Sequence, residues 1–269
     1  IISDKNGNYF CSDLFKICTQ KDRILILEEL SPYLSEDCIN HFGTYPIRTL
    51  VDCSNSEAEY NLILYSFNDY NKLRFASLDP YGNFIIQKII TKIPEHFRKD
   101  FNYIFTSFIG LASKRKYGII TAEKFLDYTK DKNIIGRILN IIKNDFKIFA
   151  EDQYGNYLIQ YILEKWADRP EGKEIKDLVL QNFKNMSQKK YSSFICELII
   201  KLLSEDEKIA LIKTLGLDEF NNTNNQHVIK IMKLLGMHKM TYNNINNYPN
   251  QMHLFLYPNN FVNNNYIPL

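Results

Sequence analysis

Apolar and polar positions recur along this chain with a long period. Asp79-Pro-Tyr-Gly-Asn-Phe-Ile-Ile-Gln87 and Asp152-Gln-Tyr-Gly-Asn-Tyr-Leu-Ile-Gln160 are close copies. Searching at half their separation gives seven anchors, Asn8, Thr44, Asn83, Ile119, Asn156, Ser193 and Gln226, spaced by 36, 39, 36, 37, 37 and 33 residues. Gly precedes five of them (Gly7, Gly43, Gly82, Gly118, Gly155). Counted from the anchor, positions +2, +3 and +6 are almost all apolar, as in Phe10, Cys11 and Leu14 or Ile85, Ile86 and Ile89. Position +4 is polar in every copy: Ser12, Arg48, Gln87, Glu123, Gln160, Glu197 and Lys230. At about 100° per residue the apolar positions form one helical stripe, while the anchor, +1 and +4 fall on the other side. Each motif therefore predicts an amphipathic helix with a core face and a second, non-core face.

A further helix follows each motif. Leu178, Val179 and Phe183 give one apolar stripe, and Ser204-Glu-Asp-Glu207 reads as a capping box opening a helix through Leu211, Ile212 and Leu215. Units of this size cannot bury their faces alone, so the pattern predicts an α-solenoid of stacked repeats. The repeats are expected to fill residues 1–235. An Asn-rich tail, 236–269, follows, in which Met252-His-Leu-Phe-Leu-Tyr257 is apolar enough to pack as a cap.

Composition narrows the chemistry. The 269 residues carry a formal charge of +2, which excludes a polycation that coats nucleic acid by charge alone. Five cysteines without a C-x-x-C exclude a disulfide framework or a zinc site and fit a reducing, intracellular compartment. Cys11 and Cys196 fall in the apolar +3 column and are expected to be core thiols. The five histidines lack metal-ligand spacing. No phosphate loop or nucleophile motif occurs, so neither an enzyme nor a cofactor is expected. No apolar run reaches membrane-span length, and no secretory h-region opens the chain. Because residue 1 is Ile, the chain is expected to be trimmed.

The non-core face has its own pattern. The anchor and +4 lie one turn apart and can converge on one planar object. Asn83 with Gln87 and Asn156 with Gln160 are amide pairs, whose donors and acceptors match a uracil edge. Ser193 with Glu197 pairs a hydroxyl with a carboxylate, an acceptor suited to the two adjacent donors of guanine. Position +1 is a flat ring in six copies (Tyr9, Tyr45, Phe84, Tyr157, Phe194, His227), with Ile120 the exception. Rings one repeat apart can sandwich unstacked bases. A single Gly-Asn step before an apolar run also suits a helix N-cap, but +4 cannot be a cap and is polar throughout.

These residues resemble the Pumilio/FBF (PUF) family. Residues 152–163 followed by Ser187-Gln-Lys-Lys-Tyr-Ser-Ser-Phe-Ile-Cys-Glu197 resemble its sixth and seventh repeats, 79–87 its fourth, and His41-Phe-Gly-Thr-Tyr-Pro-Ile-Arg-Thr-Leu50 its third. The resemblance covers about residues 4–235. It implies an all-α, right-handed α-solenoid, a crescent of about seven visible three-helix repeats, with a first repeat missing. It implies single-stranded RNA on the concave face, with Asn/Gln reading uracil and Ser/Glu reading guanine. Carried over, Asn156/Gln160 and Asn83/Gln87 read U, Ser193/Glu197 read G, and Phe84, Tyr157 and Phe194 stack, giving a target (U)-G-U-N-U. Weaker contacts are expected at Asn8, Tyr9, Ser12, Thr44, Tyr45, Arg48, Glu123, Gln226, His227 and Lys230, none of which fits the code cleanly. Lys114-Arg-Lys116 and Lys189-Lys190 are expected phosphate contacts. The family further implies a monomer on cytoplasmic mRNA 3′ UTRs, recruiting a deadenylation or translational-repression factor. Two alternatives stand beside it: a nucleolar ribosome-assembly RNA binder and a protein-binding scaffold.

Overall fold

The computed structural model describes residues 1–215 and 223–237. The Asn-rich tail, with Met252–Tyr257, lies outside them apart from its first two residues. Among the described residues there are sixteen helices and no strand. The seven motif helices are α1 (Gly7–Ile17), α4 (Thr44–Cys53), α7 (Gly82–Lys92), α9 (Lys116–Asp127), α12 (Gly155–Lys165), α14 (Ser192–Leu202) and α16 (Gln226–Leu234). The helices between them are α2 (Gln20–Leu30), α3 (Leu34–Asp37), α5 (Glu57–Tyr65), α6 (Tyr70–Leu78), α8 (Lys99–Ala112), α10 (Lys132–Asn144), α11 (Phe146–Glu151), α13 (Pro170–Ser187) and α15 (Glu205–Leu215). Three helices per repeat hold for the repeats that open at α1, α4 and α9. In those that open at α7 and α12, the second helix is long (14 and 18 residues) and runs to the turn before the next motif helix.

The chain forms two compact units, Ile1–Phe149 with Gln153–Tyr161, and Ala150–Asp152 with the residues from Ile162 onward. In the first, α1 packs on α4, α4 on α7 and α7 on α9, while α2 packs on α5 and α8 on both α6 and α10. Two rows of helices thus enclose the core, where Phe105 meets Phe125 at 4.5 Å between ring centroids. The apolar columns supply it: Ile85, Ile86 and Ile89 are fully buried. In the second unit α14 packs on α13 and α16, over Ile195, Cys196 and Ile199. The expected core thiols Cys11 and Cys196 are buried.

Phe10 departs from its column and is 65% exposed. Capping boxes open three of the helices that follow a motif helix: Thr19 with Asp22 on α2, Ser56 with Glu59 on α5, and Ser204 with Glu207 on α15, the last as the pattern predicts.

The column of glycines has a packing cause. A Cβ at Gly7, Gly43, Gly82 or Gly118 would run into the backbone carbonyl six residues earlier, that of Ile1, Asp37, Ala76 or Ala112. Ser192, which replaces Gly in the sixth motif, donates its hydroxyl to the corresponding carbonyl, Met186 O, at 2.8 Å.

Candidate nucleic-acid interface

Four of the anchor side chains are not on the open face that the helical wheel predicts for them. Asn8, Asn83, Asn156 and Ser193 are all buried. They occupy the first turn, where the preceding loop covers them, and they bond to that loop's carbonyls. Asn83 Nδ2 donates to Asp79 O (2.8 Å) and Pro80 O (2.9 Å). Asn8 Nδ2 donates to Asp4 O and Lys5 O, Asn156 Nδ2 to Gln153 O, Ser193 Oγ to Lys190 O, and Thr44 Oγ1 to Asn40 O and Cys38 O. Ser12, expected as a weak contact, is buried with its hydroxyl on Asn8 O.

The anchor's remaining oxygen has a specific use. Asn83 Oδ1 accepts from Gln87 Nε2 at 2.9 Å, and Asn156 Oδ1 accepts from Gln160 Nε2 at 2.7 Å. Each buried Asn thereby fixes the half-buried Gln one turn on. The Gln keeps an acceptor and a second N–H beyond that bond, one donor beside one acceptor. Sequence reasoning missed the residue that sets the turn itself. Asp79 Oδ1 accepts from Tyr81 N (2.7 Å) and Gly82 N (2.9 Å), and Asp4 and Asn40 do the same four residues before their anchors. The signal was present, since an Asp or Asn precedes five of the seven anchors by four (Asp4, Asn40, Asp79, Asp152, Asn222), the usual Asx-turn chemistry.

The +1 side chains stand out from each motif helix. Exposure runs from 41% at Phe194 to 67% at Tyr9, with Tyr45, Phe84, Ile120 and Tyr157 between. Tyr9 and Tyr45 are 6.5 Å apart between centroids, tilted by 52°. His227 is half-buried and Gln226 is exposed at the start of α16.

Three comparisons bear on this arrangement. A family model described as a Pumilio-family RNA binding repeat matches residues 1–31, 77–99 and 148–169, which hold the motifs of α1, α7 and α12. In those segments the chain carries Pumilio-family (PUF) repeats. It is 26% identical over 167 residues to the Pumilio domain-containing protein C6G9.14 of Schizosaccharomyces pombe, covering 61% of this chain and 24% of that one. It is 26% identical over 177 residues to the suppressor protein MPT5 of Saccharomyces cerevisiae, covering 61% and 20%. The chain thus matches a quarter or less of the length of these two relatives. Among solved structures, the Puf4 RNA binding domain bound to the HO endonuclease RNA 3′ UTR recognition sequence aligns with a TM-score of 0.82 at 20% identity, over 95% of this chain and 78% of that one. The RNA-binding domain of yeast Puf5p bound to AAT2 RNA aligns with a TM-score of 0.68 at 23% identity, over 95% and 70%. The fold is that of these helical repeat domains.

The PUF repeats of this chain differ from one another at +4. Arg48 is exposed, whereas Gln87, Gln160, Glu123 and Glu197 are half-buried. Glu197 pairs with the exposed Lys230 of the next motif helix at 2.7 Å. The basic residues also divide. Lys189 is held by Glu151 at 2.9 Å, while Lys114, Lys116 and Lys190 lie over the rings of Phe149, Tyr117 and Tyr191. Among the described residues no cluster of His, Cys, Asp and Glu could hold a metal ion, and no helix is long and apolar enough to cross a membrane.

Proposed function

We propose that these PUF repeats bind single-stranded RNA in a sequence-specific manner. The observation that carries this is a unit repeated on α7 and α12: a buried Asn that fixes a half-buried Gln, next to an exposed ring. The ring gives a base a face to stack on, worth about 1–3 kcal/mol. The Gln offers one donor and one acceptor, which pair with the N3–H and a carbonyl of uracil. In this reading Asn83 and Asn156 act on the base by positioning their glutamines.

Glu197 suits guanine, whose N1–H and N2–H₂ need two acceptors side by side. Lys230 holds one of these oxygens, and guanine displaces its exposed side chain. The target is UGUNU with the first U the least constrained, since Gln226, His227 and Lys230 present no amide pair at +4. Thr44 with Arg48 and Ile119 with Glu123 follow neither pattern and leave their bases unassigned. The Puf4 domain's structure with a 3′ UTR recognition sequence supports mRNA as the substrate class; the outcome we propose is repression or decay of cytoplasmic mRNA.

The test is selection from random single-stranded RNA with the wild type and with the Ser193→Asn, Glu197→Gln double variant. UGU-bearing sites are expected for the wild type. The variant is expected to change G to U at one position, with about 1–3 kcal/mol of discrimination moving with it. Unchanged preference at that position would sink the assignment of these two residues.

A further inference from the structure

A groove of about 1620 Å³ lies in the first unit, between α8 and α10 and beneath the C-terminal ends of α7 and α9. The reading positions are elsewhere: Phe84 stands eight residues before Lys92 on α7, about 12 Å along the helix. Five cations line the groove, Lys92, Lys99, Lys130, Lys132 and Arg137. The four lysines make no ion pair among the described residues, and Arg137 lies over the ring of Tyr103 at 5.0 Å. The three carboxylates that line it are engaged. Asp127 accepts from Tyr161 Oη at 2.6 Å, Asp131 caps α10, and Glu95 accepts from Lys130 N and Asp131 N.

At the floor lies Arg98, 2% exposed. Its guanidinium donates only to neutral oxygens, Ile93 O (2.8 Å), Asn102 Oδ1 (2.9 Å) and Tyr128 O (3.3 Å). Burial lowers its pKa to about 10, against the partial support of the nearby Glu95 charge.

The chain contains its own reference for this position. Arg23 stands at the same place, fifteen residues after its anchor, and makes the matching bond to Cys18 O. Arg23 also pairs with the buried Glu59 of the next repeat at 2.7 Å. In the repeat that follows Arg98, the residue in register with Glu59 is Ile134, which lines the groove. Glu95 has taken over only half of the role of Glu59: it accepts from Lys130 N and Asp131 N, as Glu59 does from Asn55 N and Ser56 N. The carboxylate that would neutralise the buried arginine is missing, and a groove rimmed by cations stands in its place.

We propose that this groove docks an acidic segment of a partner protein, one carboxylate of which serves Arg98 as Glu59 serves Arg23. Further carboxylates meet the lysine rim, and aliphatic side chains meet Pro94, Ile134 and Tyr103. The lining favours a peptide over RNA, because its three exposed rings are already engaged, Tyr103 by Arg137, Tyr128 by Lys124 and His96 by Phe97, and they form no repeated stacking column.

The test is fluorescence anisotropy of the full chain with a labelled peptide alternating glutamate and leucine, against its lysine–leucine counterpart. The acidic peptide is expected to bind and the basic one not to. Lys132→Glu with Arg137→Glu, both on exposed side chains, is expected to weaken binding by about tenfold or more. Ile134→Glu restores the carboxylate from within and is expected to abolish binding while leaving the melting temperature unchanged or higher. Saturating poly(U) is expected not to displace the peptide. Equal binding by the variants overturns the proposal, as does displacement by poly(U), which would assign the groove to RNA.

Discussion

Glu59 shows what a single side chain contributes to this stack. It is fully buried, accepts from Ser56 Oγ and from two backbone N–H groups, and pairs with Arg23. Burial by itself would raise its pKa, but the bonds from Ser56, Asn55 and Arg23 hold the carboxyl below its ordinary value. Folding therefore favours the ionised form. That contribution is complete above the unfolded value of about 4.5 and is lost as pH falls through the lowered folded value. Removing one partner of a buried pair leaves the other uncompensated, so Glu59→Gln is expected to cost about 3–5 kcal/mol in chemical denaturation. Arg23→Met combined with Glu59→Leu is expected to recover most of that loss. Below pH 4.5 the single variant should lose stability less steeply than the wild type. The sequence places Arg23 and Glu59 in register but cannot show that they are desolvated, and desolvation is what makes the pair costly to break.

At the scale of the motif helix, its first turn is built against backbone. The Gly column was visible in the sequence; its cause was not, because the carbonyl it approaches belongs to the preceding segment. Gly82→Ala places a Cβ 2.6 Å from Ala76 O and 3.0 Å from Ala76 Cα. Overpacking of this kind costs about 1–3 kcal/mol, to be read as a lowered melting temperature. Tyr157 behaves in the opposite way. It is half exposed, so Tyr157→Ala should leave the melt nearly unchanged. On the proposed function it should weaken RNA binding by one stacking contact, about 1–3 kcal/mol, measured by filter binding. A variant that binds RNA as tightly as the wild type would remove Tyr157 from the interface.

For the molecule as a whole, the charge of +2 sets the character of any RNA binding. Lys189 is held in an ion pair, and Lys114, Lys116 and Lys190 lie over rings, so few of the cations just before the motif helices are left to gather phosphates. The slope of log K against log salt should be shallow, about 0.7 per phosphate contact for a single strand and no more than about three contacts in total. A steep slope would contradict recognition through stacking and base edges. The repeat period, the helical class, the apolar columns and the exposed rings at +1 were determined by the sequence alone. A helix of fixed pitch turns spacing directly into direction, and seven copies average out local exceptions. Only the tertiary structure decided that most of the anchors are buried, that Phe10 is exposed, that two long helices replace helix pairs, and that Arg98 lies unpaired beneath a groove. Each of these depends on which segment covers a residue, and a helical wheel describes one helix without its neighbours.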